Sequence, residues 1–173
     1  WSQDGRRIAV ACYGFPLRLF DTSGKLLAEM NEKIDGMESI ALNADGTRLI
    51  ARAYLPAEKR TAIAIFDTSS RTLETQFPQS DVFYSLLSLS PNNRWLVSGD
   101  NTQAVRFWDW ASRTEAFTFR EGDKKITSLH WSQYGNRLLL ASEWKGVRLL
   151  DTSGSQPKVL KSWEKLKTAT LSP

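Results

Sequence analysis

The phrase "LRLFDTSG" at residues 17–24 returns as "VRLLDTSG" at residues 147–154. Two looser copies lie between them, "AIAIFDTSS" at 62–70 and "AVRFWDWAS" at 104–112. Their aspartates, Asp21, Asp67, Asp109 and Asp151, stand 46, 42 and 42 residues apart. A second mark precedes each one: "WSQDGRR", "LNADGTR", "LSPNNRW" and "WSQYGNR", anchored at Ser2, Asn43, Ser90 and Ser132. Anchor and aspartate are separated by 19, 24, 19 and 19 residues. A period near 42 with two marks in fixed phase means one structural unit written four times. Such a unit cannot bury its hydrophobic surface alone, so its copies must pack on one another.

Each copy divides into four short runs. In the third these are "FYSLLSLS" (83–90), "RWLVSG" (94–99), "AVRFWDW" (104–110) and "TEAFTF" (114–119). They are rich in β-branched and aromatic residues and are bounded by Gly, Asn, Asp and Ser, which favours strands joined by tight turns. Asp4-Gly5 and Asp45-Gly46 suit hairpins, because both residue types tolerate positive φ. No segment carries a ten-residue helical period. The chain therefore reads as all-β, with units at about 1–31, 37–78, 83–120 and 126–163, and a first strand of a further unit at 167–173.

This pattern resembles the WD-repeat family of β-propellers, whose blades run from a Ser-Pro-Asp-Gly-like turn to a Trp-Asp closing the third strand. Trp108-Asp109 is the literal match, while Phe20-Asp21, Phe66-Asp67 and Leu150-Asp151 are degenerate ones. Ser90-Pro91 and Ser172-Pro173 match the start of the turn. The resemblance implies a propeller of four-stranded antiparallel blades, about four of them in this chain. The family's Gly-His pair is missing, so its buried Asp–His–Ser–Trp network is not expected. Four such blades are expected to belong to a larger ring within a larger polypeptide. The other reading is that "TATLS" (168–172) closes a small ring.

Chemistry-bearing motifs are missing. The sequence holds no phosphate-binding Gly-rich loop, His-Glu-x-x-His, Cys-x-x-Cys or Gly-x-Ser-x-Gly. With one Cys and one His, a zinc site is not expected, and neither is any cofactor. His130 reads as a satisfied strand histidine beside Trp131, and Cys12 as a small buried hydrophobe. The four aspartates recur at one position per unit, which marks them as turn residues. Arg18, Arg106 and Arg148 share a third-strand position, where aliphatic stems cover the sheet and the heads reach water or a carboxylate. Apolar residues make up 41% of the chain and charged ones 24%, as in a folded globular protein. No run approaches the 20 or so apolar residues of a membrane helix. The net charge of +4 is scattered, so nucleic acid is not the expected partner.

With the strands committed to packing, recognition falls to loops. The turns between second and third strands are "CYGFP" (12–16), "AYLPAEKRT" (53–61), "GDNTQ" (99–103) and "SEWKG" (142–146). The second is longer by five residues, "PAEKR" or close to it, and insertions in repeats commonly map to binding loops. Candidate partner-binding residues on these turns are Tyr13, Phe15, Tyr54, Glu58, Lys59, Arg60, Trp144 and Lys145, with Lys124 and Lys125 in the linker before the fourth unit. Aromatic rings beside Lys or Arg are typical of binding hot spots; the competing reading is that the rings fold over the blade ends as caps. The resemblance implies a non-catalytic scaffold or sensor that binds another protein or another domain of its own polypeptide, with cytoplasmic placement expected over periplasmic. The alternative is a propeller that gates or binds substrate in a peptidase, a hydrolase or a periplasmic complex.

Overall fold

The computed structural model describes residues 1–12, 15–30, 39–55, 60–77, 84–100, 103–120, 125–143, 146–164 and 166. Fifteen strands and no helix occur among them. The chain divides into two compact units, Trp1–Asp81 and Val82–Pro173. The first holds a sheet of β1 (Arg7–Val10), β2 (Leu17–Asp21) and β3 (Leu26–Met30), and a sheet of β4 (Ile40–Leu42), β5 (Arg48–Leu55), β6 (Arg60–Asp67) and β7 (Thr72–Gln76). The second holds β8 (Tyr84–Leu89), β9 (Trp95–Asp100), β10 (Ala104–Asp109) and β11 (Thr114–Arg120), then β12 (Ile126–Trp131), β13 (Arg137–Ser142), β14 (Gly146–Asp151) and β15 (Lys158–Trp163). Every sheet is antiparallel, with its strands in chain order, the blade topology of a β-propeller. We call the four sheets blades one to four. The segment 167–173, read as a further first strand, lies outside the described residues.

The two sequence marks are the two turns of each blade. At the entry turn the anchor side chain accepts from the backbone N–H five residues on: Arg7 to Ser2 Oγ at 3.0 Å, Arg48 to Asn43 Oδ1 at 2.8 Å, Trp95 to Ser90 Oγ at 2.8 Å and Arg137 to Ser132 Oγ at 3.1 Å. At the exit turn Asp21, Asp67, Asp109 and Asp151 accept from the Ser N–H groups that follow them. The Thr of the Asp-Thr-Ser phrase joins the two turns in blades two and four. Buried Thr68 donates to the Gly46 carbonyl and Thr152 to that of Gly135, both at 3.0 Å. The preceding blade reaches the same carbonyls, through Arg7 Nη1 at 2.8 Å and Asn92 Nδ2 at 3.4 Å. In blades two and four the phrase locks one turn to the other and offers the preceding blade a foothold.

These aspartates give the fold an acid limit. Each titrates below the ordinary 3.8: Ser23 and Ser153 hydroxyls lead for Asp21 and Asp151, the Ser70 amide for Asp67 and the Ser112 amide for Asp109. The donors bind the charged form, so the stabilisation is fully present above 3.8 and is lost as pH falls through the folded-state values. Thermal melts should change little with pH on account of these groups between neutrality and about pH 5, then decline below about pH 4. An Asp151→Asn variant should decline less steeply there, and an unchanged acid limb would contradict this role.

Within each unit the blades share a core. In the first, Leu17, Leu19, Ala28 and Met30 of blade one meet Leu49, Ala51, Ala64 and Phe66 of blade two. In the second, Trp95, Val97, Val105 and Phe107 of blade three meet Ile126, Leu138, Leu140 and Leu150 of blade four. Burying a side chain of this size stabilises by about 1.5–3 kcal/mol, so the shared layer dominates. Trp95 also bridges the pair by donating Nε1 to the Thr152 carbonyl at 3.0 Å.

Several expectations need correction. Cys12 is exposed, because it lies past the end of β1, at the start of the first turn. His130 is exposed as well: strand alternation sends Leu129 and Trp131 to the shared core and His130 to the other side. The third-strand arginines behave as expected where their partners are seen: Arg18 and Arg106 reach carboxylates, Glu29 at 2.7 Å and Asp100 at 2.9 Å, and the Arg148 guanidinium lies 5.6 Å from the Phe119 ring centroid. The network given up for want of histidine survives in its other half, since buried Trp108 donates Nε1 to Ser98 Oγ at 2.9 Å.

Candidate functional site

The turns expected between second and third strands, which in three-stranded blade one join β1 to β2, are built on hairpin stems. Blade one's begins with Phe15 N–H donating to the Cys12 carbonyl at 3.0 Å. The Phe15 ring is 58% exposed, so it caps no core. Tyr13, in the same turn, lies outside the described residues.

The insertion in blade two is partly ladder rather than loop. Ala53 and Ser142 both lie ten residues after their anchors, and blade four's pairing ends at Ser142↔Gly146. Blade two continues past Ala53↔Ala62 to Tyr54↔Thr61 and Leu55↔Arg60. Two extra rungs therefore lift the turn, with Tyr54 on the first of them and Arg60 on the last. Arg60 belongs to β6 and not to the loop, as alternating pairing extends as far as the sequence on both sides can form strand. Glu58 and Lys59 lie outside the described residues.

Blade three's turn is latched from within. The Asp100 carboxylate is fully buried and accepts from Ala104 N–H at 3.1 Å and Arg106 Nε at 2.9 Å. Arg106 Nη1 then reaches Glu115 at 2.8 Å. Burial works to lower the Arg106 pKa, but the bonds from Asp100 and Glu115 outweigh it and hold it above the ordinary value. A paired, partly desolvated charge of this kind makes the turn expensive to deform. Sequence reasoning missed Asp100; the signal available was an acidic residue four places before Ala104 at a strand start.

In blade four, Glu143 N–H donates to the Lys125 carbonyl at 2.8 Å. That bond brings the linker beside the turn 142–146, so exposed Lys125 neighbours the stem on which Trp144 and Lys145 are carried. Lys124, Trp144 and Lys145 themselves lie outside the described residues. Among the described residues no three His, Cys, Asp or Glu side chains converge as metal ligands, and no helix is long and apolar enough to cross a membrane.

The family model described as "WD domain, G-beta repeat" matches residues 68–109, from the blade-two exit turn to Trp108-Asp109. Residues 68–109 match a single WD repeat, and the four antiparallel sheets have the strand order of β-propeller blades. The sequence repeat is offset from the blade by one strand, since it takes in β7 before β8, β9 and β10. Over 123 residues the chain is 26% identical to the WD repeat-containing protein JIP5 of Coprinopsis cinerea. That alignment covers 70% of this chain and 28% of the relative, so the chain spans well under half of the relative's length. WD repeats serve generally as non-catalytic platforms for protein–protein interaction.

Proposed function

We propose that this chain is the recognition platform of a larger cytoplasmic protein, binding a protein partner through the turns between second and third strands. The reading rests above all on the blade-four arrangement, in which the Lys125 linker is hydrogen-bonded to the turn that carries Trp144 and Lys145. A stem held by a backbone hydrogen bond of this sort loses little conformational entropy on binding, which leaves more of the contact energy as affinity. The raised hairpin with Tyr54 and Arg60 supplies a second contact in the same class of turn. A sensor role follows if the partner is another domain of the same polypeptide. Charge reversal tests the reading: Lys125→Glu with Lys145→Glu, and Lys59→Glu with Arg60→Glu. Each pair should weaken partner retention at least tenfold while Tm moves by no more than about 2 °C, as expected of surface changes. Undiminished retention in both pairs would rule these turns out.

A further inference from the structure

Blades one and four share a surface feature that blades two and three lack. Every outer strand carries a one-residue bulge where it pairs with its neighbour, at Leu27, Glu74, Ala116 and Leu160. In blades one and four the bulge is preceded by a lysine and an aliphatic residue: Lys25-Leu26-Leu27 and Lys158-Val159-Leu160. In blades two and three the same places hold Thr72-Leu73-Glu74 and Thr114-Glu115-Ala116. The paired aliphatics stand in water, Leu26 at 47%, Leu27 at 36%, Val159 at 44% and Leu160 at 52% exposure. Leaving two large aliphatic side chains exposed at one structural position, on two blades, is not required by the ladder. Blade two fills the bulge with a charged residue and holds it with Arg48.

Both strands are the last in their sheets, so among the described residues each presents an unpaired edge of backbone N–H and C=O groups. β15 is exposed along its first five residues and carries Lys161 as well as Lys158. The exit-turn carboxylates Asp21 and Asp151, which feel the charge of the two leading lysines, are bonded by the Ser23 and Ser153 hydroxyls. The edge thus offers hydrogen-bonding backbone, an apolar step and a cation in one order on both blades. We propose that β3 and β15 are docking edges for an extended peptide in which carboxylate and aliphatic side chains alternate. The peptide adds to each blade as a further strand, its backbone pairing with the edge, its apolar residues covering the bulge pair and its carboxylate meeting the lysine. The inference rests on the reading of the chain as a protein-recognition platform but uses different residues, so the turn variants above leave it unaffected.

The test uses the full chain and a fluorescein-labelled peptide, acetyl-Glu-Val-Glu-Val-Glu-Val-amide, titrated by calorimetry and anisotropy. Two bound peptides per chain are expected, one after Leu27→Asp or Leu160→Asp alone, and none after both. Two further peptides carry N-methyl groups on alternate residues, one on each edge of the strand. Backbone pairing uses a single edge, so one should lose at least tenfold in affinity and the other should bind nearly as the parent does. Joint Lys25→Glu and Lys158→Glu replacement should switch preference to the lysine-for-glutamate peptide. Several results would overturn the proposal: no saturable binding, as expected if bulge and lysines only protect the edge; equal loss in both N-methylated peptides or in neither; or exposed aliphatics that instead pair two copies of the chain, seen as a concentration-dependent dimer that the Leu160→Asp change abolishes while the peptide fails to bind.

Discussion

Replacing Gly146 by Ala should unfold blade four or cost on the order of 3 kcal/mol or more, the steepest loss among single methyl additions. Gly146 has φ of +98°, and an added Cβ would lie 1.9 Å from the Trp163 carbonyl oxygen and 3.0 Å from Glu164 Cα. Both obstacles are backbone, so no side-chain rotation relieves them. The residue must move, and with it the Ser142↔Gly146 rung that closes the stem of the turn bearing Trp144 and Lys145. Two other positions calibrate the effect. Gly46 also has positive φ, but the atom in the way is the Arg7 Cδ, the middle of a flexible side chain, so Gly46→Ala should cost less. Gly5→Ala meets nothing within 4 Å and should show the backbone penalty alone, about 1–2 kcal/mol. Urea unfolding of the three variants should rank them Gly146, Gly46, Gly5. A Gly146→Ala protein as stable as Gly5→Ala would mean that the turn is differently built. In that event the stiffness assigned to the candidate patch would fail with it.

The repeat made the all-β blade architecture legible, because its two marks are hydrogen-bonded turns whose residue types are fixed by chemistry. Ser2, Asn43, Ser90 and Ser132 are interchangeable as acceptors, and the aspartates cap their turns from one fixed place. What stayed hidden depended on the direction a side chain takes from its strand. His130 and Cys12 sit among apolar letters, yet one faces away from the shared core and the other lies beyond the strand end. The five extra residues of blade two looked like loop because length alone does not distinguish a longer loop from a longer ladder. Asp100 escaped notice since its role depends on Arg106, on the neighbouring strand, and on a burial that no local pattern announces. The placement of Lys125 beside the blade-four turn came from a single backbone hydrogen bond, which carries no sequence signal at all.

Replacing Trp108 should cost most in stability among side-chain truncations, and the pattern of loss separates packing from hydrogen bonding. The indole is 2% exposed and donates to Ser98 Oγ, which is fully buried. Trp108→Ala removes both contributions and leaves a large void, so a loss of about 3–5 kcal/mol is expected. Trp108→Phe keeps much of the ring volume but strips Ser98 of its donor; the stranded hydroxyl should add about 1–3 kcal/mol to a modest packing loss. Ser98→Ala alone leaves the indole N–H buried and unanswered, with a cost in the same range. The double change, Trp108→Phe with Ser98→Ala, removes both partners together. It should be less destabilising than the sum of the two single changes, by at least about 0.5 kcal/mol, the signature of direct coupling. Additive losses would place the stabilisation in packing alone. In that case the Trp-Ser half of the family's network would be kept in this blade for shape, with the hydroxyl satisfied by some other group.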